Sequence, residues 1–303
     1  MSYHIVSIDA PRCVLSARDG QLICRSEEGE RRLPLEDVAA IIVTSFSATF
    51  HGHLLVQAAK NGVALILCET FRPASLVLPA NRATDTLLTR AVLSLSAKSR
   101  EQLWAQTIHS KCRNQWTLAK AVAAKDPHLE SLRITAQGRH PRKESTCARL
   151  YWSIIGRELG EESFIRERKG GGLNHLLNYG YAVLLSSMLQ KLFAVGLDPT
   201  FGLFHAVRER STPLAYDLME PFRVCVERRV IEWARKNRRP WEVTPDYRRW
   251  VTSFGHDKVG WRTGVMEVQN VMEGVIRSFR RAVLADDVKF YHPWTSTNSK
   301  WAG

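Results

Sequence analysis

The apolar residues of this chain change their spacing once, near residue 85, and that change divides what the chain can fold into. Before it, short apolar runs at 14–17, 21–25, 38–43 and 63–68 are separated by turn residues, and Arg18-Asp19-Gly20 joins the first two as a hairpin. Residues 53–60 read as a helix stopped by Asn61-Gly62. Residues 69–83 contain Pro73, Pro79 and Asn81 with little periodicity, and read as a linker. After it, apolar positions recur every three or four residues over 86–122, 145–159, 173–197, 221–237, 245–254 and 263–283, as in helices that bury one stripe. The fold class implied is α+β, with a small β-rich domain over 1–80 and a larger all-helical domain over 81–303. The end of the chain, 286–303, has no helical period yet holds Phe290, Tyr291, Trp294 and Trp301. It is expected to be a tail that is mobile in the free protein and anchors its aromatics on a partner, the alternative being that it folds back on its own domain.

Charge follows the same division. The chain has 303 residues and a formal net charge of +13, yet residues 1–80 hold seven Lys and Arg against eight Asp and Glu. The whole basic excess lies in the helical part, which points to a polyanionic partner such as nucleic acid. The densest stretch runs from Arg223 through Arg228, Arg229, Arg235, Lys236, Arg238 and Arg239 to Arg248 and Arg249, interleaved with Trp233, Trp241, Tyr247 and Trp250. Those aromatics can stack bases, but at helical spacing they read as core. A hydrophobic share of 45% excludes a disordered chain. The six cysteines show no C-x-x-C and no zinc spacing, so they read as free thiols in a reducing compartment. The N-terminus lacks the pattern of a signal peptide, and the apolar stretch 179–197 is broken by Ser186, Ser187, Gln190 and Lys191, as in a buried helix and not a membrane span. These features point to a cytoplasmic protein.

Several acids sit where acids are unfavourable. Glu144 opens the helical stretch ESTCARLYWSII, and Cys147, Tyr151 and Ile155 fall on its face, which puts the carboxylate on the inward side. A buried carboxylate needs a cation, a proton or hydrogen bonds. Asp217 and Glu220 are three apart and precede Pro221, a residue best tolerated in a first helical turn, which places both near a helix N-terminus. Together with His205 these acids offer oxygen and imidazole donors suited to Mg²⁺ or Mn²⁺. Each also has an ordinary structural reading: Glu144 paired with Arg142 or Arg149, His205 satisfied in a core, Asp217 and Glu220 capping a helix. No Walker-type phosphate loop is present, and Lys169-Gly170-Gly171-Gly172 reads as a flexible turn.

The segments KESTCARLYW (143–152), LNHLLNYGYAVLL (173–185), GLDPTFGLFH (196–205) and LAYDLMEPFRVCV (214–226) occur in an order that resembles the integrase of CRISPR spacer acquisition, the first-numbered core CRISPR-associated protein. The segment 111–115, Lys-Cys-Arg-Asn-Gln, is similar to that family's Asn-Gln helix, and the Asp-Leu-Met-Glu form resembles members accompanying single-effector (type II) systems. The resemblance implies a DNA integrase that inserts short duplexes into a repeat array by 3′-hydroxyl transesterification. It implies Glu144, His205 and Glu220 as catalytic metal ligands for Mg²⁺ or Mn²⁺, with Asp217 a further ligand or a supporting group. Asn174 and Asn178 match family asparagines that order the ligands or contact DNA, and Arg238, Arg239, Arg248 and Arg249 are the candidate phosphate contacts. Ser145-Thr146-Cys147 departs from the small residues usual after the glutamate. The implied partners are double-stranded DNA, a second copy bound through the β-domains, and a small ferredoxin-like protein, the second-numbered core member. A non-catalytic basic scaffold and a free-standing nuclease on branched DNA are the rival readings.

Overall fold

The structure, a computed structural model, describes residues 4–69, 72–77, 86–138, 143–205, 212–262 and 264–296. Strands β1 (His4–Ile8), β2 (Val14–Arg18), β3 (Gln21–Ser26), β4 (Gly29–Pro34), β5 (Val38–Val43) and β6 (Thr49–Phe50) come first. Helix α1 (Gly52–Lys60) and strands β7 (Ala64–Glu69) and β8 (Arg72–Val77) follow. The expected hairpin joins β2 to β3, and Asp19 and Gly20 both take positive φ, 51° and 73°, as its tight turn requires. One sheet runs β4-β3-β2-β6 and another β1-β5-β7-β8, with β5 parallel to both of its neighbours.

The second sheet is a wall between two cores. Alternate residues of its central strands point opposite ways. Ile41, Val43 and Leu65 pack with Leu15, Leu35 and Leu54 on the N-terminal side. Ile42, Ile66 and Cys68 join the core of the helical part. This explains why 38–43 reads as an unbroken apolar run: both faces are covered. It also welds the two units that the sequence separates.

The stretch read as a linker holds a strand instead. β8 pairs antiparallel with β7, and Pro73 stands opposite Cys68 beside a shift of register. β8 is at the sheet edge, where a proline removes no ladder hydrogen bond that the sheet needs. Residues 78–85 lie outside the described part.

The helical part comprises α2 (Thr86–Ser94), α3 (Ala97–Val122), α4 (Leu129–Gln137), α5 (Lys143–Glu158), α6 (Leu173–Ala194), α7 (Pro213–Met219), α8 (Arg223–Lys236) and α9 (Pro245–Thr252). A hairpin of β9 (Lys258–Trp261) and β10 (Gly264–Glu267) then leads into α10 (Val268–Leu284). The single helix expected over 86–122 breaks because Ser96 caps α3, its side chain accepting from the Ser99 N–H at 3.0 Å. The helix expected from 263 starts later because 264–267 pairs with 258–261. Gly180 allows α6 and α8 to close together: a Cβ there would lie 2.3 Å from Val226 Cγ1. No described helix is long and apolar enough to cross a membrane.

The C-terminal segment corrects the expectation of a mobile tail as far as residue 296. Tyr291 and Trp294 are buried, Trp294 stacks on Phe222 with ring centres 5.3 Å apart, and its indole N–H donates to the Gly260 carbonyl at 3.0 Å. Burial of two large aromatics outweighs the entropy of ordering this stretch without any helical period. Trp301 lies outside the described residues.

Candidate metal centre

Three segments distant in sequence meet at this site. Lys111 projects from α3, Glu144 from the first turn of α5, and Glu220 from a 3₁₀ turn, Glu220–Phe222, between α7 and α8. Lys111 Nζ lies 2.7 Å from Glu144 Oε1 and 2.7 Å from Glu220 Oε2. The first contact is a hydrogen bond, and the second is a close ion pair to a buried oxygen. The other oxygen, Oε1, pairs with Arg223 Nη2 at 2.8 Å.

Asn114 fixes this geometry. Its amide N–H donates to the Pro221 carbonyl at 2.9 Å and to the Trp294 carbonyl at 3.1 Å, and its Oδ1 accepts from the Ser296 N–H at 2.8 Å. The Asn-Gln segment of α3 thus ties the turn carrying Glu220 to the helix carrying Lys111.

Asp217, fully buried in the last turn of α7, is engaged from several sides. It accepts the backbone N–H groups of Leu203, Phe204 and His205 at 2.5–3.2 Å and faces His205 Nδ1 at 2.6 Å. Opposite a carboxylate, Nδ1 carries the proton, which leaves the Nε2 lone pair available as an acceptor. Gly202 makes this wrap possible, since a Cβ there would sit 2.9 Å from Asp217 Oδ2 and 2.7 Å from Pro213 Cβ.

Burial alone would push the Glu220 carboxyl up, but Arg223 and Lys111 outweigh it and hold it down at about 2. Burial likewise works against the Lys111 ammonium, yet Glu220 and Glu144 more than offset it, so its pKa is raised. Among the described residues no three His, Cys, Asp or Glu side chains are gathered closely enough to hold a metal ion. Two carboxylates converge on the Lys111 ammonium, and the His205 imidazole is near enough to act on the Glu220 charge. Carboxylate oxygens and an imidazole are donor types that suit a hard divalent cation.

The sequence expectations fare unevenly. Glu220 and Asp217 are buried, but the Glu144 side chain is 39% exposed, so it stands at the rim of the core and not within it. Only Glu220 precedes a helix N-terminus; Asp217 ends the helix before. Asn174 and Asn178 brace the loop ahead of α6: Arg166 donates to both, and they donate to the carbonyls of Ile165 and Arg168. Arg239 binds the Leu159 carbonyl, Arg248 pairs with Asp9 of the β-rich part, and Arg249 pairs with Asp246, while Arg238 is exposed. Much of the basic run is therefore engaged inside the molecule, with Arg228 and Arg229 both on Asp257. Trp241 and Tyr247 are buried, as expected for core aromatics.

Sequence reasoning missed Lys111 as part of the site, although its position beside Asn114 and Gln115 was a usable signal. It also missed the cleft of about 1440 Å³ beside Glu144, bordered by Trp104, His109, Lys143, Phe204 and Arg262. Phe204 is 62% exposed there and lies flat on Trp104, ring centres 4.5 Å apart.

The family described as CRISPR associated protein Cas1 matches residues 6–242. The CRISPR-associated endonuclease Cas1 of Neisseria meningitidis serogroup C (strain 8013) is 27% identical over 281 residues, spanning 91% of this chain and 90% of that protein. Among solved structures, a casposase bound to integration product superposes with a TM-score of 0.78 at 18% identity, covering 99% of this chain and 95% of the casposase. A chain of a Cas6-RT-Cas1–Cas2 complex superposes at 0.77 and 15% identity over 98% of this chain and 36% of the other. The family match spans both the β-rich part and the segments that carry Lys111, Glu144, His205 and Glu220, and the chain belongs to the Cas1 family of CRISPR-associated proteins.

Proposed function

We propose that this chain is a metal-dependent DNA integrase that joins the 3′-hydroxyl of a short duplex to a phosphodiester of a CRISPR repeat. The observation that carries the reading is the convergence of Glu144 and Glu220 on one cation, with the His205 imidazole near enough to act on the Glu220 charge. Glu144, Glu220 and His205 Nε2 would hold Mg²⁺ or Mn²⁺. The ion, when bound, would supply Lewis-acid stabilisation of the charge that develops on the phosphate. Asp217 fixes the tautomer and the direction of His205. Arg223 stays on Glu220 and keeps that carboxylate ionised and in place. The reaction exchanges one phosphodiester for another, so it needs neither an energy source nor a covalent enzyme intermediate.

The endonuclease name of the Neisseria relative and the integration product held by the casposase support this class of chemistry. The Cas1–Cas2 assembly among the structural neighbours supports a Cas2 partner, and we propose a second copy of this chain, joined through the β-rich parts, as the other. The net charge of +13, concentrated after residue 80, supports a duplex DNA substrate held mainly through phosphates.

The test is strand transfer of a labelled 3′-hydroxyl duplex into a supercoiled plasmid bearing the repeat, with the Cas2 partner present. Joining should require Mn²⁺ or Mg²⁺. It should vanish with chelator and in Glu144→Ala, His205→Ala and Glu220→Ala, while gel-shift affinity stays near wild type. Joining that persists in chelator, or in any of the three variants, refutes the assignment. Cleavage without joining would leave a nuclease and remove the integrase.

A further inference from the structure

The candidate site contains a cation supplied by the chain itself. Lys111 Nζ sits 2.7 Å from an oxygen of each of the two carboxylates proposed as metal ligands. Its side chain is only 12% exposed, and it rises from the middle of a long helix whose backbone is fixed by packing. An ammonium is a compact point charge on a flexible four-carbon stem, so it can satisfy two carboxylates and can also leave them without moving the helix. A guanidinium, planar and forked, would lock onto one carboxylate instead, as Arg223 does with Glu220.

The formal charges favour exchange of the ammonium over addition of an ion beside it. Glu144, Glu220, Asp217, Lys111 and Arg223 sum to −1 in the arrangement observed. A divalent ion added to all five would leave an uncompensated positive charge in a confined space, an arrangement opposed by direct repulsion from the ammonium. Exchanging the ammonium for the ion leaves the five groups neutral. The ammonium has somewhere to go: the open cleft of about 1440 Å³ begins at Glu144, the more exposed of its two partners.

We infer that Lys111 is a built-in occupant of the metal position, which a divalent ion must displace to bind between Glu144 and Glu220. The inference rests on the metal-site reading above, and adds that the metal-free protein is held together at this point by its own lysine. Lys111 is thus a positioning residue that keeps the two acids aligned for the ion and lowers the affinity with which the ion enters.

Isothermal titration of the full chain with MnCl₂ tests this, comparing wild type, Lys111→Met and Glu220→Gln. Lys111→Met should bind Mn²⁺ about tenfold or more tightly than wild type, because a unit charge in contact with both acids no longer competes. Glu220→Gln should bind much more weakly. Equal or weaker binding by folded Lys111→Met, with Glu220→Gln still impaired, overturns the inference and leaves the metal site standing. No saturable binding in any of the three overturns both.

Removing the lysine leaves Glu220 with one partner and threatens the fold, so wild type supplies a second readout. Lysine acylation mapped by mass spectrometry should show Lys111 protected in metal-free protein and labelled several-fold faster in saturating Mg²⁺. Labelling that Mg²⁺ leaves unchanged, or slows, means the ammonium is not displaced.

Discussion

Replacing Trp294 by alanine tests the claim that the end of the chain is part of the core. The indole is fully buried, lies at 14° to the Phe222 ring, and donates to the Gly260 carbonyl at 3.0 Å. Its own carbonyl accepts from Asn114, which also holds the Pro221 carbonyl one residue from Glu220. Removing a buried tryptophan side chain costs about 3–5 kcal/mol from lost transfer energy and the cavity left behind. For a cooperative unit of this size that corresponds to a fall in Tm of roughly 6–20 °C. Trp294→Phe keeps the stacking and loses the hydrogen bond to Gly260, so it should cost less, about 1–3 kcal/mol. Urea unfolding followed by far-ultraviolet circular dichroism measures both. A Trp294→Ala protein within about 1 kcal/mol of wild type would refute the burial argument and restore the picture of a tail waiting for a partner.

Further outcomes follow from the same contacts. Asp217→Asn turns an amide toward donors that now face a carboxylate, so Mn²⁺ affinity should fall about 10–100-fold, measured by titration; unchanged affinity would remove Asp217 from the site. Gly180→Ala places a Cβ 2.3 Å from Val226 Cγ1, and overpacking of about 1–3 kcal/mol should exceed the helix-propensity gain of about 1 kcal/mol. Pairing it with Val226→Ala should recover part of the loss in urea, and additive losses would contradict the close approach of α6 and α8. Burial raises the pKa of Glu227, against the hydrogen bond that Tyr181 donates to it. The folded chain therefore holds a proton that the unfolded chain releases, and stability falls as pH rises from the ordinary carboxylate value toward the raised one. Glu227→Gln should flatten that decline, and an identical pH slope in the variant would show that Glu227 folds ionised.

The period of the apolar residues, and where it changes, made the division into strands and helices readable, since amphipathic spacing is a local property. The strand β8 was not readable, because Pro73 argues against a strand until the edge of a sheet is known to be there. The C-terminal segment was unreadable for a related reason: Tyr291 and Trp294 are held by single contacts to α3, Phe222 and Gly260, and such contacts leave no repeat in the sequence. The basic run told that charge was in excess but not where it was spent. Arg248 answers Asp9 across some 240 positions of chain, a pairing that only the fold can make.

The sequence by itself singled out Glu144, Asp217 and Glu220 as acids that needed explanation, because a carboxylate on an apolar helical face is costly, but it passed over the buried Glu227. Only the tertiary structure decided how each is compensated. Glu220 is buried and paired, Glu144 stands at the rim, and Asp217 is taken up by backbone N–H groups and by His205. It also decided that a lysine from a third helix would lie between the first two. Local pattern fixes the face on which a side chain emerges, but a charge is settled by whatever stands within about 4 Å of it, and here that distance spans more than a hundred residues of chain.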